Sequence, residues 1–201
     1  PAARAAVNEN SAYLQHKRKR DFRDNESVGY LFGIYYNRPR FYANLQGGYR
    51  EGTPYGDSDF PEYRTPTGSY FASYFLTRKL EAQVFGRRNL VHTVLSAENP
   101  YFYDTANGGG LNLEVHRRLL LRGHVLYGTN DYPFKETLGE ELVEREDTYY
   151  SLGGGFSALL SNKLVLNASV NRTVYESEFP GVGRSVLRFT TGLSFEGEFS
   201  R

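Results

Sequence analysis

Apolar and polar residues alternate along most of this chain, in long stretches that are separated by short segments rich in Gly, Pro and charged residues. Residues 185–199 show the pattern most clearly, because every second side chain from position 187 is apolar or Thr and the intervening ones are mainly Arg, Ser, Thr and Glu. A period of two is typical of a β-strand with one apolar and one polar face. No stretch has the period of an amphipathic helix, so the sequence predicts an all-β fold.

The alternating stretches come in pairs that are joined by a few mostly basic residues. Residues 28–37 and 41–49 form the first pair, and the three others are 68–76 with 80–90, 109–115 with 119–129, and 148–160 with 164–174. The remaining connections are predicted as longer loops at residues 51–67, 96–105, 130–147 and 176–184. Within the third of these, the Glu-rich residues 138–147 are predicted as loop with at most one helical turn.

Short turns at one end and long loops at the other are typical of bacterial outer-membrane barrels. Most of the stretches have 9–15 residues, which is longer than an ordinary strand and enough for the about 9–11 residues that a tilted strand needs to cross a bilayer. We therefore predict an antiparallel, up-and-down transmembrane β-barrel that occupies residues 1–201 as a single domain.

The direction of the first clear strand requires an additional strand before it. Residues 3–13 alternate weakly and are predicted as that strand, with residues 16–27 as the first long loop. The total is then about ten strands, an even number as in most bacterial barrels. The alternative is that the chain is the C-terminal part of a larger barrel. Because the sequence begins with Pro and contains no Met, we expect that it was processed or trimmed.

Composition removes several function classes. The 24 basic and 23 acidic residues nearly cancel, whereas nucleic-acid-binding proteins normally carry a basic excess, so no nucleic-acid partner is expected. The chain has no Cys, and its four His residues show no metal-ligand spacing. We therefore expect no metal, no cofactor and no catalytic residues. The Gly clusters at 108–110 and 153–155 lie inside strands and are interpreted as points where the sheet bends.

Several short segments together resemble a known group of proteins. They are Phe-Gly-Arg-Arg-Asn-Leu-Val at 85–91, Asn-Pro-Tyr-Phe at 99–102, Gly-Gly-Gly-Leu at 108–111, Arg-Arg-Leu-Leu-Leu-Arg at 117–122 and Tyr-Gly-Thr-Asn-Asp-Tyr at 127–132. With them the chain resembles the porin-like outer-membrane β-barrel proteins of Gram-negative bacteria, some of which are encoded near exopolysaccharide genes. The resemblance implies an integral outer-membrane location, a structural, transport or export role, and envelope or polymer-export proteins as partners.

The polar faces of the predicted strands carry charges of both signs. In a barrel these side chains would line the lumen: Arg40, Arg50, Glu81, Arg87, Glu114, Arg122, His124, Arg188, Glu196 and Glu198. Side chains just fill a barrel of about eight strands, so a ten-stranded lumen is expected to be narrow or occluded. In a larger barrel the same residues would line a polar pore.

Two arginines are expected on the apolar face, eight residues beyond a short turn. Arg88 and Arg172 would lie near the top of the apolar band, where Tyr49 and Tyr127 occupy the matching positions. An Arg at that height can reach the headgroups, so both are candidates for contact with lipopolysaccharide phosphates. Outer-membrane lipid and lipopolysaccharide are thus the expected surroundings.

Two other function classes remain open. One is an outer-membrane barrel hydrolase of the omptin type, for which Asp57 and Asp59 offer a carboxylate pair, although residues 175–178 replace the His-Asp partner. His92 with Ser96 is the only His–Ser candidate, and the two are four positions apart, which is far in an extended chain. The other class is a soluble, ligand-binding β-barrel with its apolar faces turned inward.

Overall fold

The computed structural model describes residues 25–54, 61–93, 99–138, 141–161 and 163–195. Nine antiparallel strands follow one another in a single sheet, in the order of the sequence. They are β1 (Asn25–Arg38), β2 (Phe41–Pro54), β3 (Tyr63–Phe75), β4 (Leu80–His92), β5 (Tyr101–His116), β6 (Leu119–Leu138), β7 (Glu141–Ser161), β8 (Leu164–Ser177) and β9 (Arg184–Phe195).

The all-β prediction is confirmed, since the described residues contain no helix. Accordingly, no helix long and apolar enough to cross a membrane occurs in that part of the chain. The predicted short turns are found at residues 39–40, 76–79 and 117–118 and around Lys163. We call this end of the sheet the turn end and the opposite end the loop end. The predicted strand at residues 3–13 and the first part of the predicted loop, residues 16–24, lie outside the described residues, whereas residues 25–27 of that loop belong to β1.

Barrel closure is not observed among the described residues. β1 and β9 are the two edges of the sheet, and every described ladder joins strands that are consecutive in the sequence. The two edge strands run in the same direction, because an odd number of strands separates one edge from the other. An antiparallel closure therefore requires one more strand, as the ten-strand hypothesis also requires.

The prediction of a long loop at residues 130–147 is wrong. β6 continues to Leu138 and β7 begins at Glu141, and the two strands pair up to Leu138–Glu141 with one irregularity between Tyr132 and Glu136. The Glu-rich segment is a strand because a well-formed ladder continues into it, and pairing outweighs weak local strand propensity. The other predicted loops are also shorter than expected, since β2 reaches Pro54 and β5 starts at Tyr101.

The ladder registers assign every strand residue to one of two faces. On the apolar face, Ile34 pairs with Leu45 and Leu45 with Tyr70, whereas on the polar face Asn44 pairs with Tyr35 and with Phe71. The apolar sets predicted for residues 28–37, 41–49 and 185–195 each lie on the same face of the sheet. The two-faced strand pattern was therefore readable from the sequence.

Very little of the apolar surface is buried. Among the described residues, the buried hydrophobic side chains are Tyr63, Leu90, Tyr101, Ala106 and Tyr149, most of them near the loop end. Side chains in the middle of the apolar face are largely exposed, with relative accessibilities of 62% for Ile34, 59% for Leu45 and 67% for Leu193. A sheet normally packs its apolar face against a second layer, and the described residues provide none.

Candidate functional site: the polar face of the sheet

Polar residues of successive strands meet in rows across the polar face. Near the turn end, the Ser157 hydroxyl donates to Asn167 Oδ1 at 2.6 Å, and the Asn167 amide donates to Ser194 at 3.3 Å. Nearer the loop end, the Ser151 hydroxyl donates to Asn171 Oδ1 at 2.7 Å. Gly residues open space between these rows; a Cβ at Gly153 would collide with the His124 ring. The face is thus lined with hydrogen-bonding groups along its height.

The first charged cluster joins β4, β5 and β7. Arg87 Nε lies 2.7 Å from Asp104 Oδ2, and the Tyr149 hydroxyl donates to Asp104 Oδ1 at 2.5 Å. Arg87 also reaches the Tyr149 hydroxyl at 3.4 Å. β4 and β7 are separated by two strands, or about 14 Å in a flat sheet at 4.7–4.9 Å per step. Their side chains meet over the intervening strands, so this face is the sheltered side of the sheet.

The second cluster lies on the β6–β7 extension, by which we mean the loop-end part of this strand pair, residues 132–138 of β6 and 141–147 of β7. Arg145 NH2 is 2.6 Å from Asp147 Oδ2 and Arg145 NH1 is 3.0 Å from Glu136 Oε2, and all three side chains are nearly buried. The Arg145 guanidinium also stacks on the Tyr132 ring, with its Cζ 4.2 Å from the ring centroid, and contacts the Phe179 ring at 5.3 Å. Arg145 thereby links the β6–β7 extension to the connection between β8 and β9.

Asn99 ties the β4–β5 connection to the same cluster. Its fully buried amide donates to Glu136 Oε1 at 2.7 Å and to the Phe134 carbonyl at 2.9 Å, and its Oδ1 accepts the Phe134 N–H at 3.0 Å. Three connections at the loop end are therefore linked through Arg145 and Asn99.

The second cluster has the electrostatics of a desolvated ion-pair site. Burial alone would lower the pKa of Arg145, but its hydrogen bonds to Asp147 and Glu136 outweigh burial and raise the pKa above the usual value. Burial, reinforced by the charge of Asp147, raises the pKa of Tyr132 to about 12. Both groups therefore keep their protons at neutral pH, and Arg145 stays charged between its two carboxylates.

A cavity of about 640 Å³ lies between the two clusters on the polar face. Its walls carry three guanidinium groups, two carboxylates and several aromatic rings, from Arg87, Arg145, Arg184, Asp104, Asp147, Tyr132, Tyr149, Tyr175 and Phe102. The Arg184 guanidinium stacks on the Tyr175 ring, with its Cζ 5.0 Å from the centroid. Charges of both signs pair within its walls, so the site is a concave surface of fixed polar groups.

Seven of the ten residues predicted to line a lumen lie on the polar face of the sheet. Arg50, Glu81, Arg87, Glu114, Arg122, His124 and Arg188 share the polar face through their registers. Arg50 donates to Ser27 Oγ at 3.0 Å, and Glu81 accepts from Asn112 at 2.9 Å. Arg40 lies instead in the β1–β2 turn, and Glu196 and Glu198 lie outside the described residues.

Arg88 and Arg172 lie on the apolar face, near its loop-end border. Arg88 donates to Thr105 Oγ1 at 2.8 Å, stacks on the Tyr103 ring at 5.1 Å, and stands 3.8 Å from Asp131 Oδ2. Arg172 donates to Ser185 Oγ at 3.2 Å. The hydrogen bond and the ring stack of Arg88 are close contacts, whereas its ion pair is long.

The sequence interpretation found Arg87 but missed most of the other residues that form the two clusters, namely Asp104, Tyr149, Arg145, Asp147, Glu136 and Asn99. They fall in or beside the segments that were predicted as loops. The signal was present in residues 143–149, where every second side chain, Arg145, Asp147 and Tyr149, points to the polar face. Extending the period of two through the Glu-rich segment would have found these three residues.

Among the candidates for hydrolase chemistry, His92 lies in the described ranges, where its ring contacts the Tyr63 ring with 5.9 Å between the centroids. No group of three or more metal-ligating side chains occurs in the described ranges. Asp57, Asp59 and Ser96 lie outside those ranges, as does His16. A scan of the sequence against protein-family models finds no match, and a search of curated proteins finds none either.

Proposed function

We propose that this chain is an integral outer-membrane β-barrel, non-enzymatic, that serves as a structural or transport and export component of the bacterial envelope. The observation that carries the proposal is an uncharged band on the apolar face. From the first residue after each turn up to, but not including, the position eight residues beyond it, the described strands place no charged side chain on that face.

Charged residues mark both borders of this band. Arg38 stands at the turn end, and the loop-end border carries Glu26, Glu51, Arg64, Arg88, Asp131, Glu146, Arg172 and Glu176. Eight residues at about 3.3 Å, tilted by about 40°, span roughly 20 Å, close to the height of about 25 Å of a barrel's apolar band. The charges therefore begin where the hydrocarbon would end.

Tyrosines accompany the loop-end border. Tyr30 pairs with Tyr49 across β1 and β2, and Tyr127 pairs with Tyr150 across β6 and β7. All four are substantially exposed. Tyr rings gather at the membrane–water interface, where an apolar body and a polar tip are both accommodated. This arrangement supports a lipid environment for the apolar face.

A bilayer would also account for the missing second layer. Lipid would cover the exposed apolar face. Closure with a further strand that runs antiparallel to β1 and β9 would turn the polar face into a lumen. Residues 3–13 supply that strand in the ten-strand hypothesis, and further strands supply it in a larger barrel. Ten strands would leave the lumen narrow or occluded by the charged clusters. Outer-membrane lipid, lipopolysaccharide and envelope or polymer-export proteins are the proposed partners.

The test is folding into lipid vesicles of variants that place Arg on one face or the other. Arg at mid-membrane on the lipid face costs about 2–4 kcal/mol. Leu45→Arg and Leu193→Arg should therefore impair folding, as measured by the shift in gel mobility between heated and unheated samples. The controls Asn44→Arg, one residue from Leu45, and Thr190→Arg, three residues from Leu193, lie on the polar face and should fold better. Equal folding of both sets would refute the membrane assignment.

A further inference from the structure

The accessible charges in the polar-face cavity are cationic. Residues of β4 to β9 enclose its volume of about 640 Å³, and roughly 300–1,000 Å³ is usual for small-molecule sites. Of the two carboxylates in its walls, the side chain of Asp104 is 10% exposed and that of Asp147 is 4% exposed. In contrast, the Arg87 side chain is 47% exposed, and Arg184 is exposed as well. A solute that enters the cavity therefore has access mainly to guanidinium groups.

The three arginines of the cavity differ in their partners. Arg87 and Arg145 are each paired with a carboxylate, at 2.7 Å and 2.6 Å. In the part of the chain that the structure describes, no carboxylate forms an ion pair with Arg184. Its guanidinium lies over the Tyr175 ring instead. Stacking uses the flat face of a guanidinium and leaves the N–H donors at its edge available. Arg184 is thus a cation that a ring positions and whose donors are open to a ligand.

Aromatic rings lie beside Arg184. Tyr175 is paired across the ladders with Arg184 of β9 and with Tyr149 of β7. The ring centroids of Tyr149 and Tyr175 are 5.6 Å apart. Tyr149 is buried and its hydroxyl donates to Asp104, whereas Tyr175 is half-buried. Tyr175 is therefore the ring of this pair that a solute can reach, next to the guanidinium with open donors.

The connection between β8 and β9 closes one side of the cavity. Gly181 has a φ of 79°, a left-handed conformation that Gly adopts at little cost. The Val182 N–H donates to the Phe179 carbonyl at 3.3 Å, and the Phe179 ring contacts the Arg145 guanidinium. This turn brings Gly181 and Val182 into the lining. The connection adds no carboxylate to the described lining, so it provides no competitor for the donors of Arg184.

We propose that this cavity binds a small organic anion in which a planar ring carries a carboxylate. The carboxylate would accept two N–H bonds from Arg184, because the planar guanidinium matches the two oxygens of a carboxylate. The ring would lie against Tyr175 and the half-buried pair of Phe102 and Tyr132, whose centroids are 5.2 Å apart. The proposal goes beyond the proposed function, since the cavity belongs to the polar face and requires no lipid.

The test is the binding of benzoate, which has the required ring and carboxylate. Labelled benzoate is dialysed to equilibrium against the folded protein in mild detergent and against detergent alone, so that uptake by micelles is subtracted. Two competitors separate the parts of the ligand: benzyl alcohol has the ring without the charge, and cyclohexanecarboxylate has the charge without the planar ring. Both should displace labelled benzoate less well than unlabelled benzoate does. Equal displacement by either competitor would overturn the proposed ligand class.

Substitutions on β8 and β9 locate the site. Arg184→Gln should weaken benzoate binding about tenfold, as expected for the loss of a charge-assisted hydrogen bond. The matched control Arg188→Gln removes the same charge from the same face of β9, four residues nearer the turn end and outside the lining, and should leave binding unchanged. Arg184→Lys keeps the charge without the planar fork and should give an intermediate affinity. Tyr175→Leu removes the ring and should also weaken binding.

Two results would overturn the site itself. One is uptake of benzoate no greater than that of detergent alone. The other is equal weakening by Arg184→Gln and Arg188→Gln, which would show only general attraction to positive charge. If Arg184→Gln does not fold, Arg184→Lys and Tyr175→Leu provide the comparison with the control. Dialysis in detergent does not depend on insertion into vesicles, so failure of the anion site is distinguishable from failure of the proposed function.

Discussion

Removal of Arg145 should loosen the β6–β7 extension while leaving the rest of the sheet paired. The variant Arg145→Met keeps most of the aliphatic stem but removes the guanidinium. It leaves Glu136 and Asp147 close together without their cation, in a place where their side chains are only 10% and 4% exposed. Stacking on Tyr132 is lost as well.

The size of the effect follows from burial. Breaking a buried ion pair by removing one partner costs about 3–5 kcal/mol, because the remaining charge is uncompensated. The extension lies at the end of the sheet and can open locally, so we take the lower value of about 3 kcal/mol. That corresponds to about a hundredfold increase in local opening, since every 1.4 kcal/mol is a factor of ten.

The matched control is an exposed ion pair of nearly the same length. Arg64 NH2 stands 2.7 Å from Glu51 Oε1, but the two side chains are 66% and 43% exposed. Arg64→Met should therefore cost less than about 1 kcal/mol. The two pairs differ mainly in burial, so the comparison isolates the effect of desolvation.

The measurement is amide hydrogen exchange of residues 132–145 and 63–67 in the folded protein. Exchange of the first segment should accelerate about a hundredfold in Arg145→Met, and the second should change little in Arg64→Met. Equal effects of the two substitutions, or none from Arg145→Met, would show that burial does not control this cluster.

Three further predictions concern other parts of the sheet. If ten strands close, planar-bilayer recordings should show little or no steady conductance, and a large stable current would indicate a wider barrel. Gly48→Ala should destabilise by about 1–3 kcal/mol because its Cβ would collide with the Tyr30 carbonyl, whereas Gly47→Ala, with open space, should be nearly neutral in urea unfolding in lipid. Replacing Arg88 and Arg172 by Gln should reduce lipopolysaccharide co-purification in mild detergent; unchanged co-purification would remove them as phosphate contacts.

The two-faced character of the strands could be predicted from the sequence. Alternation is a local property, because successive side chains of any extended segment point to opposite faces. It therefore identified the common face of Val28, Phe32 and Ile34 and the position of the turn at residues 39–40 before any pairing was known. For the same reason Arg88 and Arg172 could be assigned to the apolar face from their distance to a turn.

Only the tertiary structure decided which polar residues meet. The Arg87–Asp104–Tyr149 cluster joins strands that are distant in the sequence, and its geometry depends on the registers of three ladders. For the β6–β7 extension the local signals conflict, because residues 143–149 alternate while the Glu-rich composition is typical of loops, and cross-strand pairing decides in favour of a strand. The cavity beside Arg184 likewise depends on the curvature of the sheet, because Arg87 of β4 and Arg184 of β9 line it together, and a strand's sequence specifies its own faces but not how the sheet curves.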